Sequence, residues 1–216
     1  MLELTTVRKH KVTLADYDYK KDIENRLILS NITHDEHAVL EELMFSPIRT
    51  SVRKIAKSID LQEDTVLSIL QKFGKTGLLV LEEDAVVVDK DKRKYFETEV
   101  EKFEEDFHAG MEFLQHLLRK VPIHVLPHWY AISRTSNNIF ESIIEKYLLT
   151  PQIYQRYLMD VSFSDPTLSA IAQDVLKSPH YEVSAEEIQQ KYKLSPEKFQ
   201  EAMLSLEFHF VCTLGY

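Results

Sequence analysis

Histidine and cysteine are the first residues of this 216-residue chain to test for chemistry; it carries nine of the former and one of the latter. His108, Glu112 and His116 stand at i, i+4 and i+8. On one continuous helix that spacing gathers three candidate metal ligands on a single face, and His124 and His128 follow. A solvated polar face explains the same pattern, and no His-Glu-x-x-His run accompanies it. No metal is expected. His34 and His37 fall in the first turn of a helix and read as surface residues. Cys212 excludes an internal disulfide and fits a reducing compartment. Its apolar surroundings read as a strand holding a buried, inert thiol. Gly-x-Ser-x-Gly, Walker and dinucleotide fingerprints are absent, and Gly numbers only 4. The expectation is a non-enzymatic protein without a cofactor.

The other chemistry within reach is the binding of phosphate. Lys and Arg neutralise nucleic-acid backbones, and a net charge of −9 opposes non-specific attraction to DNA. The distribution tells more than the sum. Residues 46–94 hold 10 Lys/Arg against 8 Asp/Glu, a balance of +2. Residues 1–45 stand at −3 and residues 95–216 at −8. The positive block contains Arg49, Arg53, Lys54 and Lys57, then Lys72 and Lys75, then Lys90, Lys92, Arg93 and Lys94. Local ion pairing on a solvated face is the competing explanation.

These cations need elements to position them, and an internal repeat supplies the elements. Val39-Leu40, Leu43-Met44 and Ser46-Pro47 recur as Ile171-Ala172, Val175-Leu176 and Ser178-Pro179, an offset of 132 residues. After one inserted residue the offset is 133. Ser51 then matches Ser184, Ile55 matches Ile188, Leu61 matches Leu194, Val66 matches Phe199, Leu70 matches Met203 and Phe73 matches Leu206. The periodicity predicts helices near 33–45, 51–59 and 62–74. Thr33-His34-Asp35-Glu36 reads as a capping box and Ser51 as an N-cap. Leu61 would plug the corner between two helices. Gly77 permits a left-handed turn, and residues 78–81 and 85–88 read as a β-hairpin around Glu82-Glu83-Asp84.

Ile55-Ala56, Leu61, Val66, Leu70, Phe73 and Gly77-Leu78-Leu79 resemble the winged helix-turn-helix superfamily of transcription regulators, over about 55 residues in the first copy and about 50 in the weaker second. The resemblance implies a mainly α fold with small β-hairpin wings: tandem winged-helix domains joined by a long helix and a helical linker. It also implies a DNA-binding regulator whose second motif helix enters the major groove. Thr65, Ser68, Gln71, Lys72 and Lys75 would then face double-stranded DNA. Arg49, Arg53, Lys54, Lys57, Lys92, Arg93 and Lys94 would bracket the groove with phosphate contacts. Glu63 and Asp64 suit a helix N-terminus but would meet phosphates or bases. In the second copy Glu186 and Glu187 stand where Arg53 and Lys54 stand in the first, so that copy is expected to bind protein. An alternative covers the whole chain. Acidic tandem winged helices occur in chromosome-segregation and membrane-sorting complexes, where they grip partner proteins without binding DNA.

Four segments follow from this reading: an N-terminal arm over 1–32 with a helix over 14–29, a winged helix over 33–91, a linker over 92–162 and a second winged-helix-like domain over 163–216. Phe96, Val100, Phe103, Phe107, Met111, Leu114 and Leu118 recur at spacings of three or four and predict one helix over 92–121, ended by Pro122. About 30 residues of helix span roughly 45 Å. Such a helix would serve as a homodimer arm or pack within its own chain. Residues 122–127 read as extended. A helix over 137–148 would be capped by Thr135 or Ser136, and another would open at Pro151. Phe208–Thr213 aligns with the first wing strand, after which the second wing is cut short. That strand would pair with residues near Val7–Val12. No apolar run reaches the roughly 18 residues a membrane span needs, and no leader is visible at Met1-Leu2-Glu3-Leu4. A cytoplasmic protein is expected, acting away from membranes.

Overall fold

The structure, a computed structural model, describes residues 11–83, 85–105 and 107–216. It is mainly helical, with one small antiparallel sheet. A 3₁₀ turn at Leu14–Asp16 precedes α1 (Tyr19–Leu29). The single helix expected over 14–29 is thus interrupted, because Tyr17 takes an extended backbone. The chain divides into two compact units, Glu24–His108 with Gly215–Tyr216, and Met1–Ile23 with Ala109–Leu214.

In the 24–108 unit, α2 (His34–Phe45) opens with the expected capping box. Thr33 accepts from the Glu36 N–H, and the Glu36 carboxylate accepts from the Thr33 N–H at 2.9 Å. Val39, Leu40, Leu43 and Met44 are buried on one face. After β1 (Arg49–Thr50) comes α3 (Val52–Ser58), capped by Ser51, and then α4 (Glu63–Gly74). Val66, Ile69, Leu70 and Phe73 are the buried stripe of α4, at the 3.6-residue period. Gly77 has φ of +78° with open space around it, a conformation that other residues adopt only with strain. The chain then enters the hairpin of β2 (Leu79–Leu81) and β3 (Val86–Val88). The sheet order is β1-β3-β2. Thr50, Leu79, Val86 and Val88 face the core, while Arg49, Val80 and Val87 form the outward row. α5 (Lys90–Val100), capped by Asp89, closes the unit with Phe96 fully buried.

In the other unit, α6 (Met111–Arg119), the short α7 (Leu126–Trp129), α8 (Ile139–Tyr147) and α9 (Pro151–Asp160) precede a second helix triad. That triad is α10 (Pro166–Lys177), α11 (Ala185–Tyr192) and α12 (Pro196–Phe208). Its register follows the first. α2 and α10 are both 12 residues long, 132 positions apart, and each is C-capped by the serine of a Ser-Pro pair. Ser51 and Ser184 cap the second helices at an offset of 133, and Gln62 and Ser195 hold the N-cap positions of the third, where only Ser195 makes the side-chain bond. Asp60 and Lys193 turn the corner with φ of 56° and 53°. Leu61 N–H donates to Ala56 O, and Leu194 N–H donates to Gln189 O, both at 3.0 Å. Even a polar staple recurs. Glu42 on α2 accepts from Ser58 at the end of α3, and Asp174 on α10 accepts from Lys191 near the end of α11. The copies differ at Leu176, which is exposed where Met44 is buried.

Several expectations fail. The helix over 92–121 does not form. α5 ends at Val100, a 3₁₀ turn takes Glu101–Phe103, and α6 begins only at Met111 behind Gly110. Glu97, Glu101 and Glu105 would repel one another at i, i+4 along a continued helix, and Gly110 disfavours its interior. The apolar stripe serves two separate cores. Phe96, Val100 and Phe103 belong to the core of the 24–108 unit, and Leu118 is buried in the other unit. Phe107 and Leu114 are partly buried and Met111 is exposed, while Phe113 and Leu117 take the buried places on α6. The 45 Å arm expected for a dimer is therefore absent. His108 precedes α6, so His108, Glu112 and His116 do not share a helical face. Residues 123–125 form a turn into α7 rather than an extended run. α8 starts at Ile139 under an Asn138 cap, not under Thr135 or Ser136.

The predicted strand over 208–213 is a helix end followed by irregular chain. Three tyrosine hydroxyls explain its termination. Tyr130 donates to Phe208 O at 2.7 Å, Tyr157 to His209 O and Tyr154 to Phe210 O, both at 2.6 Å. These satisfy carbonyls that a helix C-terminus leaves open, and Phe210 turns away with φ of 55°. Of the pairing partners expected near Val7–Val12, residues 7–10 lie outside the described residues, and Lys11 N–H donates to Trp129 O instead. Among the described residues no helix is long and apolar enough to cross a membrane.

Candidate functional site

The outward face of α4 is the strongest candidate surface. Its inward stripe is consumed by the core, which leaves Asp64, Thr65, Ser68, Gln71 and Lys75 exposed, with Leu67 partly so at 38%. Arg53, Lys54 and Lys57 are exposed on the adjoining α3. Thr65, Ser68 and Gln71 offer donors and acceptors, and the cations offer charge.

Not every residue expected here is available. Lys72 is partly buried and its ammonium lies 2.7 Å from the Glu36 carboxylate, joining α4 to α2. Arg93 donates to Ser46 O at 2.8 Å, at the C-terminus of α2, and pairs with Glu97 at 3.1 Å. Both work inside the fold. Arg49 is exposed but paired with Glu82 at the hairpin. Arg53 lies 3.7 Å from Glu63, both well exposed, a pairing that solvent makes weak. Lys94 is exposed and Lys92 half-buried on α5. Exposed carboxylates accompany these cations in the same unit: Asp60, Glu63 and Asp64 at and before the start of α4, and Glu82 and Glu83 at the hairpin. Lys72→Ala is expected to lower stability by about 1 kcal/mol, the scale of one partly buried charge-assisted bond. It should leave binding at the α4 face unchanged; chemical denaturation beside a binding titration separates the two effects.

The second triad treats the same face differently. The positions of Leu67, Gln71 and Lys75 are taken by Gln200, Leu204 and Phe208 on α12, all buried. The chain covers that face itself. The Tyr17 and Trp129 rings meet Phe208 edge-on, at centroid distances of 5.7 and 5.2 Å, and the Tyr130 hydroxyl holds its carbonyl. The sequence carried this signal in the aligned repeat, where Gln71 and Lys75 become Leu204 and Phe208.

The covering cluster has its own electrostatics. Burial pushes the phenols of Tyr130 and Tyr157 upward, and that of Tyr147 up to about 12. Burial, then the charge of Glu207, pushes the partly buried Cys212 thiol up to about 12, so it is a poor nucleophile on irregular chain rather than on a strand. A phenol whose folded value exceeds the unfolded value of about 10 is favoured in its neutral form by the fold. It therefore destabilises nothing below pH 10, and the fold weakens as pH rises from the unfolded value toward the folded one, because the unfolded chain alone can ionise. The unit holding Tyr147 should therefore weaken between about pH 10 and 12, with Tyr147 alone contributing roughly 2 kcal/mol of the loss. Urea titrations at pH 8 and pH 11.5, with Tyr147→Phe as control, measure this.

Among the described residues no group of three or more His, Cys, Asp or Glu side chains is placed to hold a metal. Comparison with family models, curated proteins and solved structures gives no match for this chain.

Proposed function

We propose that this chain is a non-enzymatic regulator that recognises double-stranded DNA through its 24–108 unit, read as a winged helix with β2 and β3 as the wing. The observation that carries the reading is the open polar face of α4, with Thr65, Ser68, Gln71 and Lys75 outward beside the exposed cations of α3. In this reading α4 enters the major groove. Thr65, Ser68 and Gln71 meet base edges, while Arg53, Lys54, Lys57 and Lys75 meet phosphates. Asp64 accepts from cytosine amino groups. The second triad has no equivalent open face and serves as a protein-interaction or packing module.

A second reading places a protein partner, or a second copy of the chain, on the same face. The exposed carboxylates Glu63, Asp64, Glu82 and Glu83 favour it, because they repel phosphate. Fluorescence anisotropy of a mixed-sequence duplex between 50 and 200 mM salt distinguishes the two. Four phosphate contacts predict a log–log salt slope of about −3 to −4. No binding at the low-salt end, or a flat salt dependence, removes the DNA reading.

A further inference from the structure

The two triads differ in what covers the segment before their second helix. In the first, β1 lies antiparallel to β3, with Arg49 opposite Val87 and Thr50 opposite Val86. Val88 N–H donates to Ile48 O at 2.8 Å. Hydrogen-bonded pairs alternate along an antiparallel ladder, so Thr50, two residues beyond Ile48, is again a hydrogen-bonding position.

The matched segment of the second triad is Tyr181-Glu182-Val183. The inserted residue is His180, and it and Tyr181 take left-handed φ of 59° and 61°. This turn absorbs the insertion and returns the chain to extended geometry, with φ/ψ of −123°/139° at Glu182 and −66°/145° at Ser184. Ser184 then caps α11 as Ser51 caps α3. Glu182 and Val183 thus stand in the places of Arg49 and Thr50. Among the described residues no strand pairs with them, and the Val183 N–H and C=O have no hydrogen-bond partner. Tyr181 beside them is 69% exposed.

We propose that Glu182–Val183 is a β-addition site for an extended segment of a partner protein, seated antiparallel as β3 is seated on β1. The first triad identifies the occupant's chemistry. A β-branched apolar residue faces Val183, as Val86 faces Thr50, and exchanges both backbone hydrogen bonds with it. The next residue faces Glu182, where an opposite charge stabilises a cross-strand pair, so a lysine or arginine belongs there. The occupied length is short, which makes the contact weak and reversible. The inference rests on the match between the triads and not on DNA recognition.

The test titrates the ¹⁵N-labelled full chain with a synthetic peptide of residues 77–89 carrying Val87→Lys, up to millimolar concentration. Saturable amide shifts concentrated at residues 182–184 are expected. A peptide with an additional Val86→Pro change should bind about tenfold more weakly, the scale of a lost ladder hydrogen bond with no change to the protein. Glu182→Lys in the protein should weaken the lysine-bearing peptide and leave the unmodified 77–89 peptide less affected. Absence of saturable shifts at 182–184, or shifts that Val86→Pro leaves undiminished, overturns the proposal. Concentration-dependent shifts at Val183 without peptide also overturn it, since a second copy would then be the occupant.

Discussion

Changing Arg53, Lys57 and Lys75 together to glutamate is expected to lower duplex affinity by about three orders of magnitude at 0.1 M salt, with the fold intact. Each phosphate left without its cation removes roughly 0.9 from the log–log salt slope, which is close to tenfold in affinity at that concentration. All three side chains are exposed, so reversing them costs the core nothing. The choice of residues follows from the partners of their neighbours. Lys72 occupies Glu36 and Arg93 occupies the end of α2, so changing those two would confound binding with stability. Lys193→Glu with Lys198→Glu reverses two exposed charges on the second triad instead. That variant should bind DNA like the parent. Anisotropy titrations of the three proteins, with circular dichroism to verify folding, measure the difference. A triple variant that binds within twofold of the parent contradicts the assignment.

Trp129→Ala carries the largest expected loss of stability, about 3–5 kcal/mol. Trp129 is fully buried, its indole N–H donates to Asp16 at 2.7 Å, and its ring meets Tyr17, Tyr130 and Phe208 edge-on. Removing it opens a cavity beside the face of α12 that the cluster covers. Trp129→Phe keeps most of the packing and loses the hydrogen bond, for about 1–2 kcal/mol. Urea denaturation followed by circular dichroism suits both variants, since the chain has a single tryptophan and its fluorescence disappears with it. A loss below about 1 kcal/mol for the alanine variant would mean that the aromatic cover is not part of the core.

The helices of both triads were legible because their cues are local. Thr33, Ser51 and Ser184 cap where they stand, Ser46-Pro47 and Ser178-Pro179 end helices, and Gly77 turns the chain. The break after Val100 was not legible, because an apolar residue recurs every three or four positions across it. Spacing alone does not reveal that Phe96 and Leu118 belong to different cores. Nor was the end of α12, whose alternating Phe208-His209-Phe210 looks like a strand. The hydroxyls that cap it come from residues 52 to 78 positions away. The cations of the candidate surface were legible as types, whereas the engagement of Lys72 and Arg93 depended on partners 36 and 47 positions distant. The comparison of open and covered faces needed the structure, although Leu204 and Phe208 had marked it in the repeat.

The central claim is that the open polar face of α4, and not its covered counterpart on α12, meets DNA. Titrating the ¹⁵N-labelled chain with a mixed-sequence duplex at low salt and mapping amide shifts by residue tests it most directly. The shifts are expected to cluster at residues 53–57 and 64–75, with residues 196–208 unmoved. Shifts confined to other surfaces, or none at saturating duplex, would contradict it.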